Sequence, residues 1–386
     1  MYDQLTLRFF RRATKTLIPF FLLAALLVVF FSPHAVAQDN NSLSPEKRAQ
    51  IEKAVSAFMT SNSIPGISIA IVQSGRPVWS AGFGMSDLED SAPATSSTLY
   101  RLGSISKPIT AVAILQLYER GKLDLDAPVQ KYCPAFPQKD SPITTRELLA
   151  HLSGIRHYNK DGKGDVPEDS ARHFASMEES LQLFASDPLL SRPGTQFHYS
   201  TYGYTLLGCV LEGSASQKYV DFVRENVFRP AAMDHTQADD FFVIVPHRTR
   251  WYHRDQSGAV HNAGVLDSSY KIPGGGRISS ADDMANFAAA ILAGKLLKAA
   301  TQETMWTAQH TTDGKPTNYA LGWGVSDHFG LHIVGHDGGQ QGTSTAILLA
   351  PQKSAAVVVL TNMDNQDANA LAESLLKISL DLPADK

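Results

Sequence analysis

The sequence predicts an α/β protein of the α+β kind: one antiparallel sheet flanked by N- and C-terminal helices, with an all-helical lobe inserted between its two halves. Three observations predict it. Apolar, β-branched-rich runs lie near both ends, at Ile67 to Val72 with Val78-Trp79, and at Thr345 to Leu349 with Ala356 to Leu360. The members of each pair are joined by turn-forming residues, Ser74-Gly75-Arg76-Pro77 and Pro351-Gln352-Lys353-Ser354, as in β-hairpins. Between them, from roughly residue 104 to 300, the pattern changes to helical periodicity and Gly/Pro loops. Two hairpins that must cover their edges and bury an apolar face fit one shared sheet.

In chain order, the first 37 residues differ from the rest. Arg8, Arg11, Arg12 and Lys15 precede the apolar run Leu17 to Phe31 and then Ala35-Val36-Ala37. A basic start, a short apolar core and a small-residue site describe a secretory signal peptide cut after Ala37, so export to a periplasm or the exterior is expected. As a helix the run reaches only about 22 Å, short of the roughly 30 Å hydrocarbon core. Membrane attachment is expected only if this segment stays uncleaved. The net charge of −4 becomes more negative once the basic leader is gone, which argues against nucleic acid as a partner.

Ser44-Pro45-Glu46 opens a helix, with serine as the cap and proline in the first turn. Ile51, Val55, Phe58 and Met59 then share one face. Further helical patterns run over Ile109 to Leu117, Thr145 to Leu152, Tyr204 to Leu211 and Ala281 to Leu292, and a last one carries Leu371, Leu375 and Ile378. The polar stretch Tyr158 to Ser170 reads as a surface loop. The two cysteines, Cys133 and Cys209, make no disulfide framework, and Cys209 in the apolar run YTLLGCVL reads as a buried free thiol. A helical lobe inserted into a sheet leaves a cleft between the two, a common place for a ligand.

Chemistry concentrates in three segments. In Arg101-Leu-Gly-Ser-Ile-Ser-Lys-Pro-Ile-Thr110, Pro108 is tolerated only near a helix start, so Ser104 lies at the edge. Residues three apart share a helix face, so Lys107 reaches Ser104 and points away from Ser106. A lysine kept neutral by burial is a competent base for a serine nucleophile. The second segment is Pro193 to Gly208, where Tyr199 stands in a loop before the helix of Leu206 and Leu207. The third is Gly335-His336-Asp-Gly-Gly-Gln-Gln-Gly342, whose glycines let a substrate backbone approach the strand edge.

In this order the segments resemble the three motifs of serine β-lactamases and penicillin-binding proteins, in the class C form. Glu147-Leu-Leu-Ala-His-Leu-Ser-Gly154 and Pro273-Gly-Gly-Gly-Arg-Ile-Ser-Ser280 extend the likeness, which runs from about residue 45 to 380. YSTYGYTLLG and LDSSYKIPGGG resemble the mitochondrial serine β-lactamase-like branch more than a resistance enzyme. The resemblance implies a β-lactamase/transpeptidase-like fold over residues 38–386 as a single two-lobed domain. It also implies a serine hydrolase that forms an acyl-enzyme. Ser104 is then the nucleophile, Lys107 its proton acceptor, and Tyr199 the group that protonates the leaving group and activates water. The backbone N–H groups of Ser104 and Gly339 form the oxyanion hole, with Thr201, His336, Gly338 and Gly339 binding substrate.

Two positions depart from the pattern. Thr201 stands where class C enzymes carry asparagine and offers a hydroxyl in place of an amide. His336 replaces the lysine that attracts a substrate carboxylate, with Asp337 beside it to favour the cation. Both changes weaken β-lactam hydrolysis and leave acyl transfer intact. The expected substrates are peptides, esters or amides, D-amino-acid cell-wall peptides among them. A true β-lactamase and a catalytically weak penicillin-binding-like assembly protein are the alternatives. No cofactor or metal is implied: His247, His253, His261 and His336 lack ligand spacing, and Gly274-Gly275-Gly276-Arg277 is not followed by the residues of a phosphate loop. His151 and Ser153 read as structural, and the oligomeric state is left open.

Overall fold

The computed structural model describes residues 42–159, 165, 166 and 170–383; the expected leader, residues 1–37, lies outside them. Strands β1 (Gly66–Gln73), β2 (Arg76–Asp87) and β3 (Ala92–Pro93) open the chain's β structure, followed by the short β4 (Tyr100–Arg101), β5 (Gln237–Ala238), β6 (Tyr252–Arg254), β7 (Val260–Asn262) and β8 (Arg277–Ser279). The chain returns to long strands in β9 (Gly324–His328), β10 (Leu331–Gln340), β11 (Thr343–Ala350) and β12 (Ala355–Thr361). A single seven-stranded sheet has the order β3-β2-β1-β12-β11-β10-β9. Its pairings are antiparallel, and β1 meets β12 with Ile67 opposite Thr361 and Val72 opposite Ala356. The two ends of the chain thus share one sheet, as their apolar runs predict.

Helices α1 (Pro45–Asn62) and α10 (Ala368–Leu380) cover one face. Between them in sequence come α2 (Ser106–Glu119), α3 (Thr145–Leu149), α4 (Met177–Leu181), α5 (Thr201–Ala215), α6 (Tyr219–Val223), α7 (Arg229–Ala231), α8 (Ala281–Leu292) and α9 (Ala299–Trp306). The period-two geometry of a strand divides the sheet's side chains between two cores. Ile67, Ile69, Ile71, Val357 and Val359 pack with Ile51, Val55, Leu371 and Leu375 under the terminal helices. Ala70, Val72, Val358 and Leu360 point the other way, into the core shared with α2, α5 and α8. Burial on both faces is why these strands read as continuous apolar runs. Each fully buried Ile or Val contributes about 1.5–3 kcal/mol of transfer free energy. No helix among the described residues is long and apolar enough to cross a membrane.

Helix starts follow local chemistry. Ser44 accepts a hydrogen bond from the Lys47 N–H, with Pro45 in the first turn, and Thr144 and Glu147 form a reciprocal capping box at α3. Ser200 accepts from the Gly203 N–H, so α5 begins at Thr201, earlier than the apolar pattern alone suggests.

Two expectations are corrected. Cys133 and Cys209 form a disulfide, with Cα atoms 5.5 Å apart, so Cys209 is not a free thiol. Its apolar run does bury α5, but on the side where Cys133 arrives, a closeness that a separation of 76 residues does not reveal. Of the stretch expected as a surface loop, the first residue, Tyr158, lines the cleft, while residues 160–164 and 167–169 lie outside the described residues.

Candidate active site

The residues before α2 are pinned from behind. Thr343 Oγ1 donates to Arg101 O at 3.0 Å and Thr345 Oγ1 donates to Leu102 O at 2.8 Å, fastening this segment to β11. Gly103 then takes a left-handed φ of +52° and lies against the Gly338-Gly339 backbone; a Cβ on it would stand 3.0 Å from Gly339 N. A short 3-10 turn, Gly103–Ile105, presents Ser104, and α2 follows from Ser106.

Ser104 Oγ lies 2.9 Å from Lys107 Nζ and 2.7 Å from Tyr199 Oη, whose O–H donates to it. Ser106 is fully buried and its hydroxyl has no partner among the described residues, so of the two serines it is Ser104 that meets Lys107 and Tyr199. Lys107 is completely buried, and its Nζ also meets Gly274 O at 2.7 Å and Thr201 Oγ1 at 3.3 Å. Burial, and then the neighbouring positive charge of Lys271, hold its pKa far below the usual lysine value, against a smaller opposing effect of Asp337. A neutral amine has two N–H groups for Gly274 O and Thr201 Oγ1, and one lone pair for the Ser104 hydroxyl proton.

Burial raises the Tyr199 phenol, more than its bond to Ser104 lowers it, so this residue rests protonated. Its ring is boxed by two histidines. His151 lies 4.3 Å away between centroids and accepts the Ser200 N–H through Nδ1 at 3.0 Å. His157 stands edge-on at 5.5 Å and accepts the Thr201 N–H at 3.2 Å. His151, set aside from sequence as structural, therefore supports the tyrosine directly behind Ser104.

The two departures are resolved differently. Thr201 is within the site, with its hydroxyl on Lys107 and its methyl group against the Gly274 backbone. His336 does not carry the expected positive charge. Burial above all depresses it to about 4, outweighing the pull of Asp337. Both ring nitrogens are engaged: Nδ1–H donates to Asp337 O at 2.6 Å, and Tyr319 O–H donates to Nε2 at 2.8 Å. The imidazole is neutral and has no donor left for a carboxylate.

The two glycines also separate. A side chain on Gly338 would run into Leu102 O and Thr345 Oγ1, so its smallness serves the packing of β10 against the Ser104 segment. Gly339 has open space in front of it and lines the cleft. That cleft, about 470 Å³, is bounded by Ser104, Thr201, Gly274, Gly275 and Gly339. Sequence reading missed His157, Tyr158, Tyr270, Lys271 and Gln340 in its wall. For Tyr270 and Lys271 the available signal was LDSSYKIPGGG, read as a mark of family resemblance and not for its side chains.

Residues 51–379 match the family model described as Beta-lactamase. Among curated proteins, the serine beta-lactamase-like protein LACTB, mitochondrial, of Homo sapiens is 31% identical, over 83% of this chain and 77% of its own length. The octameric penicillin-binding protein homologue from Pyrococcus abyssi superposes with a TM-score of 0.74 at 27% identity, covering 86% of this chain and 77% of that one. A D-stereospecific amidohydrolase from Streptomyces sp. gives 0.72 at 25% identity, covering 84% and 97%. A sheet built from both ends of the chain, a serine held between lysine and tyrosine, and these matches lead to one conclusion: the chain belongs to the beta-lactamase family.

Proposed function

We propose that this protein is a serine hydrolase that works through an acyl-enzyme on Ser104, cleaving an amide, ester or peptide bond. The observation that carries this reading is Ser104 Oγ held 2.9 Å from a fully buried Lys107 amine, whose pKa burial holds well below the usual lysine value, and 2.7 Å from the Tyr199 hydroxyl. Lys107 takes the Ser104 proton as Oγ attacks the substrate carbonyl. The oxyanion is met by the backbone N–H groups of Ser104 and Gly339. Tyr199 gives its phenol proton to the leaving group and recovers one from the Lys107 ammonium. In deacylation the sequence reverses: water loses a proton to the Lys107–Tyr199 pair, attacks the acyl carbonyl, and Ser104 regains its hydrogen.

Substrate class follows from the departures. A neutral His336 with both nitrogens engaged and a threonine at position 201 remove two groups that would hold a β-lactam. Acylation by a penicillin is therefore disfavoured, and ordinary amides and esters are preferred. The likeness to a D-stereospecific amidohydrolase supports D-amino-acid amides and peptides as a class to try first.

Fluorophosphonate and fluorescent penicillin, each followed by mass spectrometry, test this. A fluorophosphonate adduct on Ser104, absent from Ser104→Ala, is expected. No adduct from either probe rejects the covalent mechanism, and rapid release of the penicillin makes the protein a true β-lactamase instead.

A further inference from the structure

The Thr201 hydroxyl is turned to Lys107, and the N–H groups of Gly274 and Gly275 are taken by the Lys271 carbonyl. Another part of the cleft wall offers a donor, the imidazole of His157. Its place is fixed from the start of α5. Ser200 Oγ donates to Arg156 O at 2.7 Å, and the Thr201 N–H donates to His157 Nδ1 at 3.2 Å. Arg156 is paired with Asp165 at 2.8 Å and Asp187 at 2.6 Å, and its guanidinium donates to His157 O at 2.9 Å. The imidazole stacks on Tyr158, with ring centroids 4.2 Å apart, and stands edge-on to Tyr199 at 5.5 Å.

These contacts determine the tautomer. Burial keeps the ring neutral, with a pKa depressed to about 4, and a neutral imidazole has one donor and one acceptor nitrogen. Nδ1 is the acceptor, for Thr201, so the proton sits on Nε2. Nε2–H has no acceptor among the described residues, and unlike Nε2 of the neighbouring His151 it is not shut away from solvent. A donor on a ring already held by its neighbours loses little freedom when a ligand accepts from it. The cavity is lined by Ser104 but not by Tyr199, whose proton goes to the leaving group, so this space receives the acyl part of the substrate.

We propose that His157 selects substrates whose acyl group carries a second, uncharged carbonyl a few bonds from the scissile one, with Nε2–H donating to its oxygen. This rests on Ser104 being the acylated nucleophile. N-acyl amino acids and peptides carry such a carbonyl. The donor is uncharged, so a carbonyl satisfies it without the desolvation cost that a carboxylate brings. Thr201 then serves specificity through its backbone N–H, which sets the His157 tautomer, and not through its hydroxyl. Because the same ring also packs against Tyr199, a change at His157 disturbs every substrate to some degree. Only the preference between substrates isolates recognition.

The test compares kcat/KM of the full chain for two size-matched esters, 4-nitrophenyl 4-oxopentanoate and 4-nitrophenyl 4-methylpentanoate, in which a methyl group replaces the carbonyl oxygen. The wild type prefers the oxo ester about 3- to 10-fold, the range of one neutral hydrogen bond. His157→Asn puts an amide oxygen where Nδ1 accepts from Thr201 but falls short of Nε2, and it brings the ratio to about one. His157→Gln carries an amide N–H out to the place of Nε2 and keeps most of the ratio. A packing role alone lowers both esters together and leaves the ratio as it was. A wild-type ratio at or below one overturns the proposal whether or not the variants fold, and so does a ratio that His157→Asn leaves unchanged. Fluorophosphonate labelling run in parallel separates the two levels: label on Ser104 without an oxo-ester preference rejects selection by His157 alone, and no label rejects the acyl-enzyme beneath it.

Discussion

Tyr199 illustrates how a single side chain acquires its chemistry from neighbours. Its ring is held by His151 and His157, and its hydroxyl donates to Ser104 Oγ at 2.7 Å. Tyr199→Phe keeps the ring between the histidines and removes only the transferable proton. An amide leaving group needs that proton and a nitrophenolate does not. The variant is therefore expected to lose about 10²- to 10³-fold in kcat/KM, which reports acylation, on an amide and far less on a 4-nitrophenyl ester. Steady-state kinetics on the two substrates check this; equal losses would make Tyr199 a packing residue. The serine-lysine spacing was legible because residues three apart on a helix face the same way. The neutrality of His336 was not, since Asp337 beside it in sequence argues for the cation and only burial with Tyr319 reverses that.

At the scale of elements, the site depends on how closely β10 approaches the chain entering α2. Gly338 permits that approach, because Leu102 O and Thr345 Oγ1 occupy the place of a side chain. Gly338→Ala is expected to cost about 1–3 kcal/mol, as overpacking does, and to lower Ser104 acylation along with it. Urea midpoints and fluorophosphonate labelling rates measure the two effects; a variant unchanged in both would free β10 from this role. Seen in the sequence, the stretch Gly335 to Gly342 looks like a flexible turn before a strand. It is mostly strand itself, and Gly338 is there because two backbones meet.

Across the whole molecule, the disulfide and the buried histidines set stability. Cys133–Cys209 ties α5, which carries Thr201 in its first turn, to the segment after the turn Val129–Lys131. His157 and His336 are both depressed to about 4 from an ordinary value of 6.5, chiefly by burial. Between pH 6.5 and 4 the unfolded chain binds protons at these sites and the folded one does not. Stability therefore rises with pH across that window and is lost on acidification, by about 1–3 kcal/mol per histidine. Urea midpoints at pH 7, 5.5 and 4.5 should fall in that order, and a flat profile would mean that neither imidazole is held neutral.

Local periodicity determined much of this protein without any fold in view. Apolar runs at both ends made one sheet, capping residues started the helices, and helical spacing paired Lys107 with Ser104 over Ser106. These are interactions among residues close in the chain, or burial averaged over a whole face. What tertiary structure alone decided involves residues far apart: the disulfide across 76 positions, the charge state of His336, and the meeting of His157 with Thr201 and Tyr199. The physical reason is that pKa values, cross-chain bonds and cleft walls depend on which surfaces come together and how much water they exclude, and no local pattern encodes that.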